Sequence, residues 1–278
     1  MAGGTVATAG TGASAGATGT PSSLVEYNSA ITAPIVMKSG YNFAGWDVTP
    51  ASNMPASNTT YTATWTAKTL TSISLAEDAV TIYDQQYVQI GVSYDPADII
   101  TKGYTLVSSP TKVVTTGSTN TQLKVSATKA GVVISTQVSE TVSIKASADN
   151  TKTASVTVTI NPLPRVHFVD NIHNESFSDV VATINGSNAL DPNKTMPTHA
   201  DVANPSSASS CENTHLHLIG WIRSDYSKVA NYMNGTGAAP TTDELKTAGT
   251  GYWFAPGADI NVLTYDDKTF YAVWAVEE

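Results

Sequence analysis

Apolar and polar positions alternate in short runs along most of this chain. Tyr61, Ala63 and Trp65 alternate with Thr60, Thr62 and Thr64, and Val156, Val158 and Ile160 with Ser155, Thr157 and Thr159. A period of two marks strands with one buried face. Similar runs predict strands at 24–27, 31–37 (interrupted by Pro34), 41–48, 71–75, 80–82, 87–92, 123–125, 142–144 and 166–169. Clusters of Gly, Pro, Ser and Asn separate them, as at 49–58. No helical period competes between residues 69 and 161. One helix is predicted, from Thr241 to Thr247, where Thr241-Thr242-Asp243-Glu244 supplies N-cap chemistry and an acidic first turn. The pattern as a whole predicts an all-β protein.

One phrase occurs twice. Phe43-Ala44-Gly45-Trp46 is followed by Tyr61-Thr62-Ala63-Thr64-Trp65, and Leu218-Ile219-Gly220-Trp221 by Phe270-Tyr271-Ala272-Val273-Trp274. The two copies use four of the five tryptophans. The paired tryptophans stand 19 positions apart in the first copy and 53 in the second. Packing residues make up the phrase, not acids, bases or nucleophiles, which points to display or binding modules and away from an enzyme. Residues 1–22 are almost entirely Gly, Ala, Thr and Ser, too poor in apolar area to offset their ordering entropy. They are expected to form a flexible arm, or one that orders only against a partner in an assembly. Asn161-Pro162-Leu163-Pro164 reads as a stiff linker. The expected division is therefore an arm (1–22), a small module (23–68), a central domain (69–161), a proline linker (162–164) and an elaborated second copy (165–278).

Two family resemblances attach to these segments. Gly40-Tyr41-x-Phe43-x-Gly45-Trp46, Met54-Pro55-Ala56 and Asn58-Thr59-Thr60-Tyr61-Thr62-Ala63-Thr64-Trp65 resemble the Listeria–Bacteroides repeat, the B-repeat of internalin-type surface proteins. That resemblance implies a small β-grasp-like module, and residues 165–278 would be a second one carrying an insertion. Residues 69–161 resemble the bacterial Ig-like group 2 domain. The resemblance rests on Thr71-Ser72-Ile73-Ser74-Leu75, Asp95-Pro96-Ala97-Asp98 with Lys102-Gly103-Tyr104, Ser108-Ser109, Lys129-Ala130-Gly131 and Val156-Thr157-Val158. It implies an Ig-like β-sandwich. Leu106 stands where that family usually has a tryptophan, and extra sequence between Gly131 and Ile144 implies an added strand or hairpin.

Charge narrows the function. Of 278 residues only 13% are charged, and the net charge is −9. Arg165 and Arg223 are the two arginines, and no basic run could track a phosphate backbone. Nucleic acid is not expected as a partner, nor is membrane insertion, since no apolar stretch approaches a membrane span. With Cys211 as the single cysteine, no intrachain disulfide forms.

Candidate chemistry is sparse. His215 and His217 would share one strand face if 214–219 is extended, and with Cys211 nearby they are weak zinc-ligand candidates. Glu77-Asp78, Asp95 with Asp98, and Asp266-Asp267 offer oxygen ligands, but none has the spacing of a calcium loop. No nucleophile elbow or phosphate loop is present, and neither catalysis nor a cofactor is expected. Tyr252-Trp253-Phe254 beside Pro256-Gly257 is either core packing or an exposed platform for a sugar ring.

These features give a non-catalytic structural or surface-display protein as the expectation. A bacteriophage virion component, a head decoration or fibre protein, fits a chain whose first basic residue is Lys38 and which has no export signal after Met1. The arm would then contact other virion or surface proteins, with host-surface or mucosal glycans as further partners and an oligomer as one arrangement. A bacterial cell-surface adhesin is the alternative, and a carbohydrate-binding accessory module of an enzyme the third.

Overall fold

A computed structural model of the chain describes residues 2–107, 110–127, 134–170, 175–198 and 216–276. Ser108-Ser109 and Lys129-Ala130-Gly131 lie outside them. The fold is all-β, with two short helices among the described residues. Two compact units divide it. One takes in Met1–Thr81, Tyr87–Lys129 and Ser139–Thr159, the other Ile82–Gln86, Ala130–Val138 and Ile160–Glu278.

The first unit begins with a module of four strands, β1 (Thr5–Thr8), β2 (Ile35–Met37), β3 (Tyr41–Trp46) and β4 (Ala63–Ala67), paired β1–β2 and β3–β4. Here the expected free arm is corrected. Val6 is 2% exposed and packs with Val36, Ala63 and Ala13, while Trp46 and Trp65 close the cluster. The Val6 amide donates to the Ala17 carbonyl, and the Gly16 amide returns a bond to the Val6 carbonyl. One β-branched residue among small neighbours is enough, because Gly and Ala let the backbone approach closely. Full burial of one valine contributes about 1.5–3 kcal/mol. The strand expected at 24–27 does not form; Leu24 is fully exposed. The N-terminal segment supplies the module's outer strand instead.

The rest of this unit has two sheets. Strands β5 (Ser72–Leu75), β7 (Tyr87–Asp95) and β9 (Gln122–Ser126) form one, in the order β5-β7-β9. The other runs β6-β11-β10-β8, from β6 (Ala79–Tyr83), β8 (Tyr104–Leu106), β10 (Val138–Ala146) and β11 (Thr153–Asn161). Ile90, Leu123 and Val125 from one sheet and Val142, Ile144 and Val156 from the other are at most 1% exposed. On the outer face of β10 and β11 the hydroxyls of Ser143 and Ser155 pair at 2.8 Å. Of the stretch where an added strand or hairpin is expected, residues 138–146 are one long strand.

A polar joint ties the module to the central sheets. Asp98 accepts two bonds from the Lys68 ammonium, at 2.8 and 2.9 Å, and one from the Gly40 amide at 3.0 Å. Hydrogen bonding to Lys68 and to the Gly40 amide outweighs desolvation and holds the Asp98 carboxyl below its ordinary pKa. Gly40 has φ +79°, and a Cβ there would run into the Ile100 side chain and the Asp98 carbonyl.

In the second unit one sheet runs β13-β12-β21-β18-β19, with β14 also on β12. Its strands are β12 (Arg165–Asp170), β13 (Glu175–Ser176), β14 (Val180–Val181), β18 (Leu216–Arg223), β19 (Trp253–Phe254) and β21 (Lys268–Val276). Short ladders pair β15 (Thr183–Ile184) with β16 (Leu190–Asp191), and β17 (Asn193–Thr195) with β20 (Asp259–Asn261). Alternation along β18 and β21 serves two cores. Trp221, Phe270 and Ala272 join Val166, Phe168 and Met196 on one side, while Ile222 and Val273 meet Val229 and Leu245 on the other. Val229 and Leu245 come from α1 (Ser227–Met233) and α2 (Thr242–Lys246). The predicted helix is α2, with Thr241 and Glu244 closing a capping box. Helix α1 was not predicted; its N-cap is Tyr226, with no side-chain cap. In the proline segment Leu163 and Pro164 are buried, and the Pro164 carbonyl accepts from the Ala182 amide.

Candidate functional site

The doubled phrase folds into the same bulged hairpin twice. In the first copy Phe43 pairs with Trp65, Gly45 with Thr64 and Trp46 with Ala63, with the register shift between Phe43 and Gly45. In the second, Leu218 pairs with Trp274, Gly220 with Val273 and Trp221 with Ala272, with the shift between Leu218 and Gly220. Trp46 and Trp221 are thus equivalent, each opposite a buried alanine and each just past a bulge that re-aims the strand.

Their surroundings differ. Trp221 is 0% exposed, edge-on to Phe168 at 4.8 Å and Phe177 at 5.2 Å, and its Nε1–H donates to the Pro197 carbonyl at 2.8 Å. Trp46 is half-buried and lines a cleft of about 320 Å³. It is lined by Thr11–Ala13, Thr20–Ser23 and Val25 from the N-terminal segment, and by Ile31–Pro34 with Pro50, Met54 and Tyr61. Hydrogen bonds brace the lining segments. Thr11 and Thr32 exchange two hydrogen bonds, Ile31 donates to the Ser52 carbonyl and Met54 to the Ser29 carbonyl. No charged side chain lines the cleft. Sequence reasoning missed this site, because its walls are loops whose closeness depends on the N-terminal segment being folded.

Tyr252-Trp253-Phe254 is not an exposed platform. All three residues are half-buried. Trp253 lies on Gly220, where even a Cβ would collide with the indole, and belongs to the core under the helices. Phe254 packs edge-on against Tyr265 and Phe270. Tyr252 stacks under the Arg223 guanidinium, 4.0 Å from its ring centroid. Of the zinc candidates, Cys211 and His215 lie outside the described residues, as does the side chain of His217. Among the described residues no group of three His, Cys, Asp or Glu side chains is arranged to hold a metal ion.

Asp98, Asp266 and Asp267 of the acidic candidates are engaged in structure. Asp98 holds the joint above. The Asp266 carboxylate accepts from the Arg165 amide at 2.9 Å, and Asp267 and Asp179 contact the two ring nitrogens of His167 at 3.1 and 2.8 Å. Burial pulls the His167 pKa down, but the Asp267 and Asp179 carboxylates outweigh it and hold the imidazolium above its ordinary value. No helix among the described residues is long and apolar enough to cross a membrane.

No family model matches the chain, and no curated protein matches it. Among solved structures the chain is similar to surface layer protein SbsC, domains 1-6, at 13% identity, with 49% of this chain and 20% of that chain covered and a TM-score of 0.26. The chain therefore spans about a fifth of that structure's length, and so distant a likeness carries no argument.

Proposed function

We propose that this chain is a non-catalytic display protein, a head decoration or fibre component of a bacteriophage virion that carries β-modules for attachment. The observation supporting it most is the bulged Gly-Trp hairpin built twice, each copy packing its tryptophans against a core: the repeated element is a scaffold. The joint of Lys68, Asp98 and Gly40 supports the same reading, since it fixes the first module against its neighbour rather than leaving it on a tether. So does a polypeptide only 13% charged. The family resemblances, to an internalin B-repeat and to a bacterial Ig-like group 2 domain, belong to this reading.

Attachment is assigned differently from the sequence expectation. Residues 5–17 are bound up in the first module, so contacts with other virion proteins come through that module's surface rather than through a free arm. Exposed apolar side chains gather there: Leu24, Tyr27, Ile35, Met37, Phe43 and Val48. Mass spectrometry of density-purified particles tests the proposal. The protein should be present at a stoichiometric copy number; its absence from particles, with recovery in a bacterial envelope fraction, would replace the virion reading with the adhesin.

A further inference from the structure

We infer that the cleft beneath Trp46 is a binding site for a short, extended, uncharged peptide segment in which proline follows an apolar residue. The second copy shows how such a segment sits on the equivalent tryptophan. There the chain's own Thr195–Thr198 stretch runs past Trp221. Met196 is buried to 1% exposure, Pro197 is buried, and the Pro197 carbonyl takes the indole N–H at 2.8 Å. The first copy keeps the hairpin, the bulge and the tryptophan. There no described carbonyl takes the indole N–H: Trp46 makes no side-chain hydrogen bond to a described residue, and it lines the open cleft together with Ala33 and Pro34.

The cleft matches that occupant in size and chemistry. About 320 Å³ is at the low end of the ~300–1,000 Å³ typical of ligand pockets, room for a short segment and not for a folded surface. Ile31, Pro34, Pro50, Met54 and the Trp46 ring supply apolar contact. The Trp46 N–H is a donor for a backbone carbonyl, and the Tyr61 oxygen, which accepts from the Ala51 amide at 3.3 Å, keeps its own proton to donate. With no charged group in the lining, an ionic ligand would lose its hydration without compensation. Proline suits such a site because its restricted backbone leaves less entropy to lose on binding. This inference does not depend on whether the protein is displayed on a particle or on a cell.

The test is a titration of the full chain with a blocked Thr-Met-Pro-Thr peptide, followed by calorimetry and by the tryptophan indole N–H signals in NMR. Saturable binding that shifts one indole signal is expected, and a Thr-Gly-Gly-Thr peptide should not bind. Trp46→Phe keeps the ring but loses the donor, so binding should weaken about fivefold, the worth of one neutral hydrogen bond, and the shifting signal should vanish. Ser22→Trp adds bulk at an exposed residue that lines the cleft and should abolish binding while leaving the circular dichroism spectrum unchanged. Absence of peptide binding would overturn the inference. So would binding that neither variant affects, or binding at the same indole by neutral oligosaccharides but not by the peptide.

Discussion

Equivalent tryptophans in unequal surroundings permit a test of what holds each module together. Trp221→Ala removes a fully buried indole. Truncations of buried Phe or Trp cost about 3–5 kcal/mol, and two losses push this one to the top of that range. The edge-on contacts with Phe168 and Phe177 are each worth about 0.5–1.5 kcal/mol beyond area. The Pro197 carbonyl, which now accepts the indole N–H, is left unpaired at a further ~1–3 kcal/mol. These terms overlap, so about 5 kcal/mol is the working figure. Trp46→Ala removes a half-buried ring whose N–H bonds no described residue, and about 2 kcal/mol is expected. A difference near 3 kcal/mol is about a hundredfold in a local opening constant. Hydrogen exchange on the intact chain reads both modules in one sample. Amides of Leu216–Arg223 and Lys268–Val276 should lose far more protection in Trp221→Ala than those of Tyr41–Trp46 and Ala63–Ala67 lose in Trp46→Ala. Equal losses, or a larger loss at Trp46, would refute the claim that burial and the Pro197 bond separate the two copies.

Three further outcomes are expected. Val6→Ser should destabilise the first module by about 2–3 kcal/mol and raise hydrogen exchange in β2 and β4; a silent substitution would mean that the N-terminal strand is dispensable. Gly40→Ala meets both an unfavourable positive φ, worth about 1–2 kcal/mol, and a clash with Ile100, so denaturant unfolding should show a loss of about 2–3 kcal/mol, whereas a stabilising effect would deny the close approach at the joint. His167 has a raised pKa in the folded chain, so its favourable contribution is complete below the unfolded imidazole's 6.5 and fades as pH rises through the higher folded value. The stability advantage of wild type over His167→Gln should therefore shrink from pH 5.5 to pH 8.5 in thermal melts; an advantage that grows with pH would reverse the assignment.

The parts legible in the sequence are those in which a period or a cap repeats a physical rule. Val156, Val158 and Ile160 alternate with hydroxyls, and the structure buries those three and leaves the hydroxyls at the surface or half-covered. Thr241 and Glu244 announce a capping box at the spacing it requires, and α2 starts there. Helix α1 carries no such signal, with no side-chain cap and no acid in its first turn. It forms because Val229 is buried against Ile222 and Val273, a tertiary reason invisible to local reading. The N-terminal segment fails for another cause. Its composition is that of a disordered tail, yet Thr5-Val6-Ala7-Thr8 sets β-branched residues in a short run, and one valine suffices once Val36 and Ala63 are brought to it.

The two tryptophans carry that lesson furthest. Sequence places Trp46 and Trp221 in the same phrase, and the bulged register shows that the match is physical. What separates them is not in the phrase. Met196 and Pro197 lie more than twenty positions before Trp221 and cover it through a contact that no spacing rule encodes. Both tryptophans pack against a core, but the Trp221 indole is fully covered and gives its N–H to Pro197, whereas Trp46 also lines an uncharged cleft and bonds no described residue through its N–H. In a repeat, function is best sought where one copy lacks what the other uses to fill itself, and here that place is Trp46.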